Sequence, residues 1–308
     1  MDFYEALTAG LGDEGAHKLT RAASSGANLR VADDGLASTR AVVLAGGRGT
    51  RLAPYTSVLP KPLMPIGERA ILEIVVEQLE AHGVTDIIFC VGYLSHLIRT
   101  VFDNRANGHV NISYVHEQEA LGTAGPLRLV DGLNETFIVM NGDVLTTLDY
   151  RDLVRHHREA GNAVTIATRE RTIKIDYGVL HVENEKTPAR IVGFDEKPEV
   201  RSTVSMGVYV FEPWVLDYVP PDQHHDVPEL MQTLIIQGVS VGAYAFDGPW
   251  FDIGREDDYA GAVEAWTSGD FEDASRTRPG HQVGPGGDSL DRLIEQDPRR
   301  DLGEVASD

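Results

Sequence analysis

A run of glycines with two nearby cations is the densest piece of chemistry in the chain. It reads Ala41-Val42-Val43-Leu44-Ala45-Gly46-Gly47-Arg48-Gly49-Thr50-Arg51-Leu52, completed by Pro60-Lys61-Pro62. The apolar, β-branched opening predicts a buried strand that empties into a glycine-rich turn. Gly46, Gly47 and Gly49 let the backbone take positive φ and come close to a ligand, with N–H groups facing phosphate oxygens. Arg51 and Lys61 add positive charge beside the turn, which suits a polyphosphate better than a neutral ligand. The Walker A pattern Gly-x-x-x-x-Gly-Lys-Ser/Thr is absent. A dinucleotide fingerprint would need a third glycine where Leu52 stands, and Pro54 follows at once, so a dehydrogenase is a poor match. A second chemical feature is Asn141-Gly142-Asp143. It follows the apolar residues Phe137 to Met140, which puts Asp143 at the carboxyl end of a buried strand, where open α/β sheets hold ligands. Taken alone, Asn-Gly-Asp is more often a turn.

The elements that must position these residues alternate. Strands are expected at Ala41 to Ala45, Asp86 to Val91, Val110 to His116, Thr136 to Met140 and Ala163 to Ala167. Between them the spacing predicts helices over Arg69 to His82, stopped by Gly83, over Ser95 to Phe102, and over Tyr150 to Ala160, stopped by Gly161. This rhythm implies an α/β fold whose mostly parallel sheet is covered on both faces. After residue 170 the connections shorten. Gly178 to Val182, Arg190 to Phe194 and Met206 to Phe211 read as antiparallel additions, a lid-like subregion. A helix over Val227 to Gln237, a strand over Val239 to Phe246 and a helix from Arg255 to Trp266 close the domain, placed at residues 40–268. Residues 1–39 read as an extension, partly ordered at most, with a short helix suggested by Phe3, Leu7 and Leu11. Residues 269–308, with Gly284-Pro285-Gly286-Gly287, read as a disordered tail.

Composition narrows the class. The chain has 308 residues, 42% hydrophobic and 24% charged, the mix of an ordinary globular protein. A net charge of -21 argues against nucleic acid or an anionic membrane as partner. It leaves a phosphate site open, because local cations decide that. The single cysteine, Cys90, lies in an apolar run and reads as core. No apolar stretch reaches the length of a membrane span, and the expected location is cytoplasmic. His156-His157 and His224-His225 show no metal-ligand spacing with a carboxylate or cysteine, so they read as surface or core residues.

The combination Gly-Gly-Arg-Gly-Thr-Arg-Leu-x-Pro followed by Pro-Lys-Pro closely resembles the signature of the sugar-1-phosphate nucleotidyltransferases, or NDP-sugar pyrophosphorylases. Further matches in the same order are Leu121-Gly122-Thr123-Ala124-Gly125, Asn141-Gly142-Asp143, Glu196-Lys197-Pro198 and Trp250-Phe251-Asp252-Ile253-Gly254. The resemblance implies a Rossmann-like three-layer αβα fold with a mostly parallel mixed sheet and a small antiparallel subregion. It also implies a reaction, NTP plus sugar 1-phosphate giving NDP-sugar plus pyrophosphate. The attacking phosphate oxygen needs no general base; the site must align two polyanions and neutralise charge at the α-phosphorus and the leaving group.

Carried over residue by residue, the resemblance gives Arg51, Lys61, Asp143, Lys197 and Asp252 as the catalytic set. Arg51 is expected at the leaving pyrophosphate and Lys61 between the two substrates' phosphates. Asp143 and Asp252 are the expected Mg²⁺ ligands, two carboxylates suited to a hard octahedral ion; Asp252 could instead cap the helix beginning near Arg255. Leu44, Ala45, Gly46, Gly47, Gly49, Thr50, Arg51, Glu117, Gly122 and Thr123 are expected around the nucleotide. Tyr177, Gly178, Glu196, Lys197, Ser205 and Gly207 are expected on the sugar-phosphate side. Glu117 favours GTP: a carboxylate only accepts, and guanine presents paired N1–H and N2–H donors, although the neighbouring Gln118 could be the reader. The pattern is nearest to guanylyltransferases of mannose or heptose phosphates. UTP, dTTP, ATP or CTP, and a cyclitol phosphate as acceptor, stay open. A homo-oligomer, dimer or tetramer, is expected by the same resemblance. The rival is a catalytically silent regulatory or scaffold relative, which the intact set of charged residues opposes.

Overall fold

The computed structural model describes residues 36–103, 109–183 and 190–269. The expectations for a helix within residues 1–11 and for a disordered tail fall on residues outside this set. Among the described residues, Leu36 and Thr39 are the first that are buried, and Thr85 fastens Ala37 by a hydroxyl bond to its carbonyl oxygen.

Thirteen strands occur among the described residues. They are β1 (Ala41–Ala45), β2 (Pro65–Ile66), β3 (Arg69–Ala70), β4 (Asp86–Val91), β5 (Asn111–His116), β6 (Phe137–Asn141) and β7 (Val144–Thr146), then β8 (Val164–Lys174), β9 (Val179–Glu183), β10 (Arg190–Asp195), β11 (Glu199–Phe211), β12 (Val241–Ala245) and β13 (Trp250–Asp252). Among the described residues five α-helices accompany them: α1 (Ile71–Ala81), α2 (Ser95–Asp103), α3 (Tyr150–Ala160), α4 (Val227–Ile236) and α5 (Glu256–Ser268). The central sheet has the order β12-β8-β11-β6-β1-β4-β5. Strands β6, β1, β4 and β5 run parallel, β11 is antiparallel to both β6 and β8, and β12 is parallel to β8. This is the mixed α/β sheet expected.

Alternation along the strands supplies a core on each face. Val43, Phe89, Ile138 and Val208 join the helix α1 residues Leu72, Ile74 and Leu79 on one side. Val42, Cys90, Val139 and Phe211 join Leu230 and Leu234 of α4 on the other. Cys90 is fully buried, and burial pushes its thiol far up, as expected of a core residue.

Two departures from the sequence expectation have a clear physical cause. The first helix starts at Ile71, because Arg69 and Ala70 turn back to pair with Ile66 and Pro65 across Gly67, whose φ is +61°. The Glu73 carboxylate then accepts from the Ala70 N–H and caps the helix. The second difference is larger. β8 and β11 extend well past their expected ends, since Thr168 to Lys174 pair with Ser205 to Glu199. This exposed ribbon, with the antiparallel pair β9–β10, forms an arm projecting from the carboxyl half of the sheet.

Candidate active site

The carboxyl ends of β1, β4, β5 and β6 open onto a cleft of about 670 Å³. At Gly49 the backbone takes φ +59°, and Leu52 N–H closes a 3-10 turn over Thr50–Leu52 on its carbonyl. Thr56 donates its hydroxyl to the same carbonyl at 2.8 Å, and a Cβ at Gly49 would press on Thr56 and Lys61 at 3.0 and 3.1 Å. Glycine is therefore required there twice, by conformation and by space. Of the residues expected around the nucleotide, Leu44, Ala45, Gly46, Gly47, Gly49, Arg51, Glu117, Gly122 and Thr123 line the cleft; Thr50 does not. Gln118 and Tyr93 also line it, and Arg48 sits over the Tyr93 ring.

Lys61 and Asp143 meet at the cleft floor as an ion pair, both side chains largely buried. Gly142 N–H bonds to Leu44 O at 2.9 Å, which draws the end of β6 against the end of β1 and sets Asp143 facing the glycine turn. Asp143 uses Oδ2 for Lys61, while its Oδ1 is buried and has no hydrogen-bond partner among the described residues. Asp252 is delivered from far along the chain by the pairing of β13 with β7, which registers it against Val144, and Ile253 N–H bonds to Asp143 O at 3.2 Å. Burial raises the Asp252 carboxyl pKa, the charge of Asp143 raises it further, and Lys61, Arg51 and Arg171 oppose the rise. Asp252 makes no cap bond to α5, whose first turn starts behind Arg255. Arg51 lies against Gly254, 3.6 Å from where a Cβ would stand.

Glu117 is half-buried over Gly46; a Cβ there would lie 2.5 Å from its Oε1. Its Oε2 accepts from Leu121 N–H at 3.1 Å, and burial raises its pKa despite that bond. The Leu121–Gly125 loop is fastened beneath the first turn of α4. Asp226 accepts from the Thr123 N–H and hydroxyl, and that hydroxyl in turn accepts from Val227 N–H. Thr123 is thus spent on holding its own loop. Gly122, at φ +79°, has His225 O only 2.6 Å from a would-be Cβ.

The residues expected on the sugar side lie along the arm and at its root, outside the cleft walls. Ser205, Met206 and Gly207 form the irregularity in the β8–β11 register, just before β11 also takes up β6, and a Cβ at Gly207, whose φ is +74°, would lie 2.6 Å from Asn141 Nδ2. Tyr177 is 78% exposed, and Gly178 backs against the Phe194 ring, which leaves no room for a side chain. Glu196 and Lys197 occupy the exposed turn between β10 and β11, with Lys197 at φ +47°. Lys197 has no hydrogen-bond or ion-pair partner among the described residues, and it is not among the cations acting on Asp252. Arg171 is, and sequence reasoning missed it. The signal was present as Arg169 and Arg171, two cations at strand spacing.

The histidines are partly corrected. His157 is buried between Thr165 and Glu212, as a core residue. His224, however, lines the cleft, and with Asp226 and Glu229 forms a group whose ligand atoms lie within 4.8 Å of one another. Linear spacing hid this, because the first turn of α4 folds the carboxylates back toward it. Both carboxylates are already engaged, Asp226 with Thr123 and Glu229 with the Asp226 N–H.

The sequence pattern of the family described as nucleotidyl transferase matches residues 40–269. The chain is 34% identical over 267 residues to a UTP–glucose-1-phosphate uridylyltransferase of Synechocystis sp., covering 80% of this chain and 68% of that protein. It is 36% identical over 227 residues to mannose-1-phosphate guanyltransferase beta-B of Xenopus laevis, covering 71% of this chain and 62% of that protein, less than two thirds of its length. Among solved structures, HddC from Yersinia pseudotuberculosis superimposes with a TM-score of 0.57 at 24% identity, over 74% of this chain and 99% of that one, a likeness of fold.

Proposed function

The chain belongs to the nucleotidyl transferase family, and on that premise we propose that it transfers a nucleotidyl group from an NTP to a sugar 1-phosphate or sugar-like cyclitol 1-phosphate, with GTP as the preferred donor. An oxygen of the acceptor phosphate attacks the α-phosphorus, the bond from that phosphorus to the bridging oxygen of the β-phosphate breaks, and pyrophosphate leaves. The observation that carries this reading is the Lys61–Asp143 pair on the floor of a glycine-walled cleft, with Asp252 one register position away.

The roles follow from placement. The glycine turn offers N–H donors to the polyphosphate, Arg51 neutralises the leaving pyrophosphate, and Lys61 stands between the two phosphates that react. The donor set fits a divalent cation: Asp143 carries a buried carboxylate oxygen without a hydrogen-bond partner among the described residues, and Asp252 crowds it with a second carboxylate. Asp143 and Asp252 would hold Mg²⁺, which would supply charge neutralisation at the α-phosphate. Glu117 supports guanine in particular. One of its oxygens is fixed by Leu121, and the other has no hydrogen-bond partner among the described residues and lies over Gly46 at the cleft wall, where it can accept from a paired-donor base edge. Relatives named for UTP and for mannose phosphate guanylyl transfer are similarly distant, so the base must be measured.

Among the described residues no helix is long and apolar enough to cross a membrane. We place the enzyme in the cytoplasm, acting as a homo-oligomer that binds neither nucleic acid nor membrane; sedimentation of the purified chain tests the assembly.

Pyrophosphate release from ATP, CTP, GTP, UTP and dTTP, each paired with a panel of sugar 1-phosphates with and without Mg²⁺, tests the function. GTP turnover that disappears in Asp143→Asn supports both the chemistry and the base. Turnover with UTP or dTTP keeps the chemistry and removes the Glu117 argument. No turnover and no NTP binding would return the chain to the regulatory class.

A further inference from the structure

The arm is well supplied with charges, and nearly all of those near its root are compensated. Glu170 pairs with Arg201 at 3.7 Å and Lys174 with Glu199 at 3.2 Å, each across the β8–β11 ribbon. Arg169 and Arg171, two residues apart on β8, share the other face. Arg169 donates to Gly248 O and so ties the arm to the segment before β13. Arg171 does something different. Its Cζ sits 4.9 Å from the centroid of the Trp250 ring, and its guanidinium has no hydrogen-bond or ion-pair partner among the described residues.

Trp250 gives this cation a fixed seat. The ring is 8% exposed and is held by its Nε1–H, which donates to Met206 O at 3.0 Å. It stands two residues before Asp252 on the same strand. A guanidinium stacked on an aromatic face keeps its edge N–H groups free, and those groups match two oxygens of a phosphate. Arg171, Trp250 and Asp252 are all absent from the walls of the nucleotide cleft, whereas Lys61 and Asp143 belong to them. Asp143 thus faces the nucleotide cleft, while Arg171 acts on Asp252 from outside the cleft walls.

We propose that Arg171, preset on Trp250 beside Asp252, binds the phosphate monoester of the acceptor substrate and orients its attacking oxygen. This rests on the nucleotidyltransferase reading and adds to it a residue that none of the motifs contains. The competing role for Arg171 is a staple that merely holds the arm against Trp250, and the two separate cleanly. A staple needs the stem and the flat face; a phosphate clamp needs the charged edge.

Arg171→Gln and Arg171→Lys are compared with the wild-type protein, using the NTP and sugar 1-phosphate that give the fastest pyrophosphate release. The expected result for Arg171→Gln is a KM for the sugar 1-phosphate raised about tenfold or more, the effect of losing a charge-assisted pair, with the KM for the NTP within about twofold of wild type. Arg171→Lys should fall between, keeping charge without the fork. Direct titration of α-D-mannose 1-phosphate and α-D-glucose 1-phosphate into each protein without NTP should show the same order. An unchanged acceptor KM overturns the proposal. So does an equal rise in both KM values, or a lowered melting temperature in which Lys is no better than Gln, the outcome for a staple. If the wild-type protein turns over no pair at all, the nucleotidyltransferase reading fails and takes this one with it. Turnover that is normal in both variants removes Arg171 alone.

Discussion

The pair formed by Lys61 and Asp143 places an ammonium and a carboxylate in direct contact on the cleft floor. The Lys61 ammonium compensates a carboxylate that is only 20% exposed. In the proposed reaction, the same cation would stand beside the incoming phosphates. Lys61→Ala should lower kcat/KM by about a hundredfold or more, the usual scale for removing a preorganised charge from a transition state. It should also destabilise the apo protein, because Asp143 would be left beside Asp252 without its nearest cation. Rate assays and melting curves on the same preparation check both. At the base, Glu117→Gln tests recognition: an amide both donates and accepts, so the ratio of kcat/KM for GTP over UTP should fall, with the melting temperature nearly unchanged.

Among the elements, α3 carries the most legible dependencies. Asp149 caps it by accepting from the N–H groups of Arg151 and Asp152, and Gly161 ends it at φ +62°. Asp149→Ala should cost about 1 kcal/mol, measured by urea unfolding. The same helix reaches the sheet through His157, which binds Glu212 at the end of β11, and Glu212 also accepts from Thr136 just before β6. Burial alone would raise the Glu212 pKa, but bonds from His157 and Thr136 and the charges of His157 and Arg158 outweigh it, and the net shift is downward. A carboxyl with a depressed folded pKa contributes stability above its unfolded pKa and loses it as pH falls through the folded value. Melting temperatures taken from neutral pH down to about pH 3 should therefore drop less steeply in Glu212→Gln than in wild type.

Across the whole sheet, the two cores are insulated by the strands between them. Ile74 packs on one face and Leu230 on the other, both fully buried. Ile74→Val should cost about 1 kcal/mol and Leu230→Ala about 2–5 kcal/mol. The double variant should match their sum within about 0.5 kcal/mol, because no shared cavity or partner couples the sites. A larger deviation in denaturant unfolding would mean that strain crosses the sheet.

Local chemistry made much of this readable from the chain. β1 and its glycine turn, the helix α3 between Asp149 and Gly161, and Asp143 at a strand end all follow from neighbours in sequence, since φ preference, periodicity and capping act over a few residues. That Asp252 meets Asp143 is a different matter. The resemblance of short motifs suggested it, but the contact is made by the β7–β13 register, a pairing of distant segments. The length of the arm was hidden for the same reason, because β8 and β11 extend each other by hydrogen bonds that neither segment encodes alone. His224 joins Asp226 and Glu229 only once α4 has turned. Arg171 stands apart only in the fold, which compensates its neighbours and seats it on Trp250. Sequence determined which groups were available and how each short stretch would fold; tertiary structure decided which charges face one another, because cross-strand pairing and burial act only between parts that the chain keeps far apart.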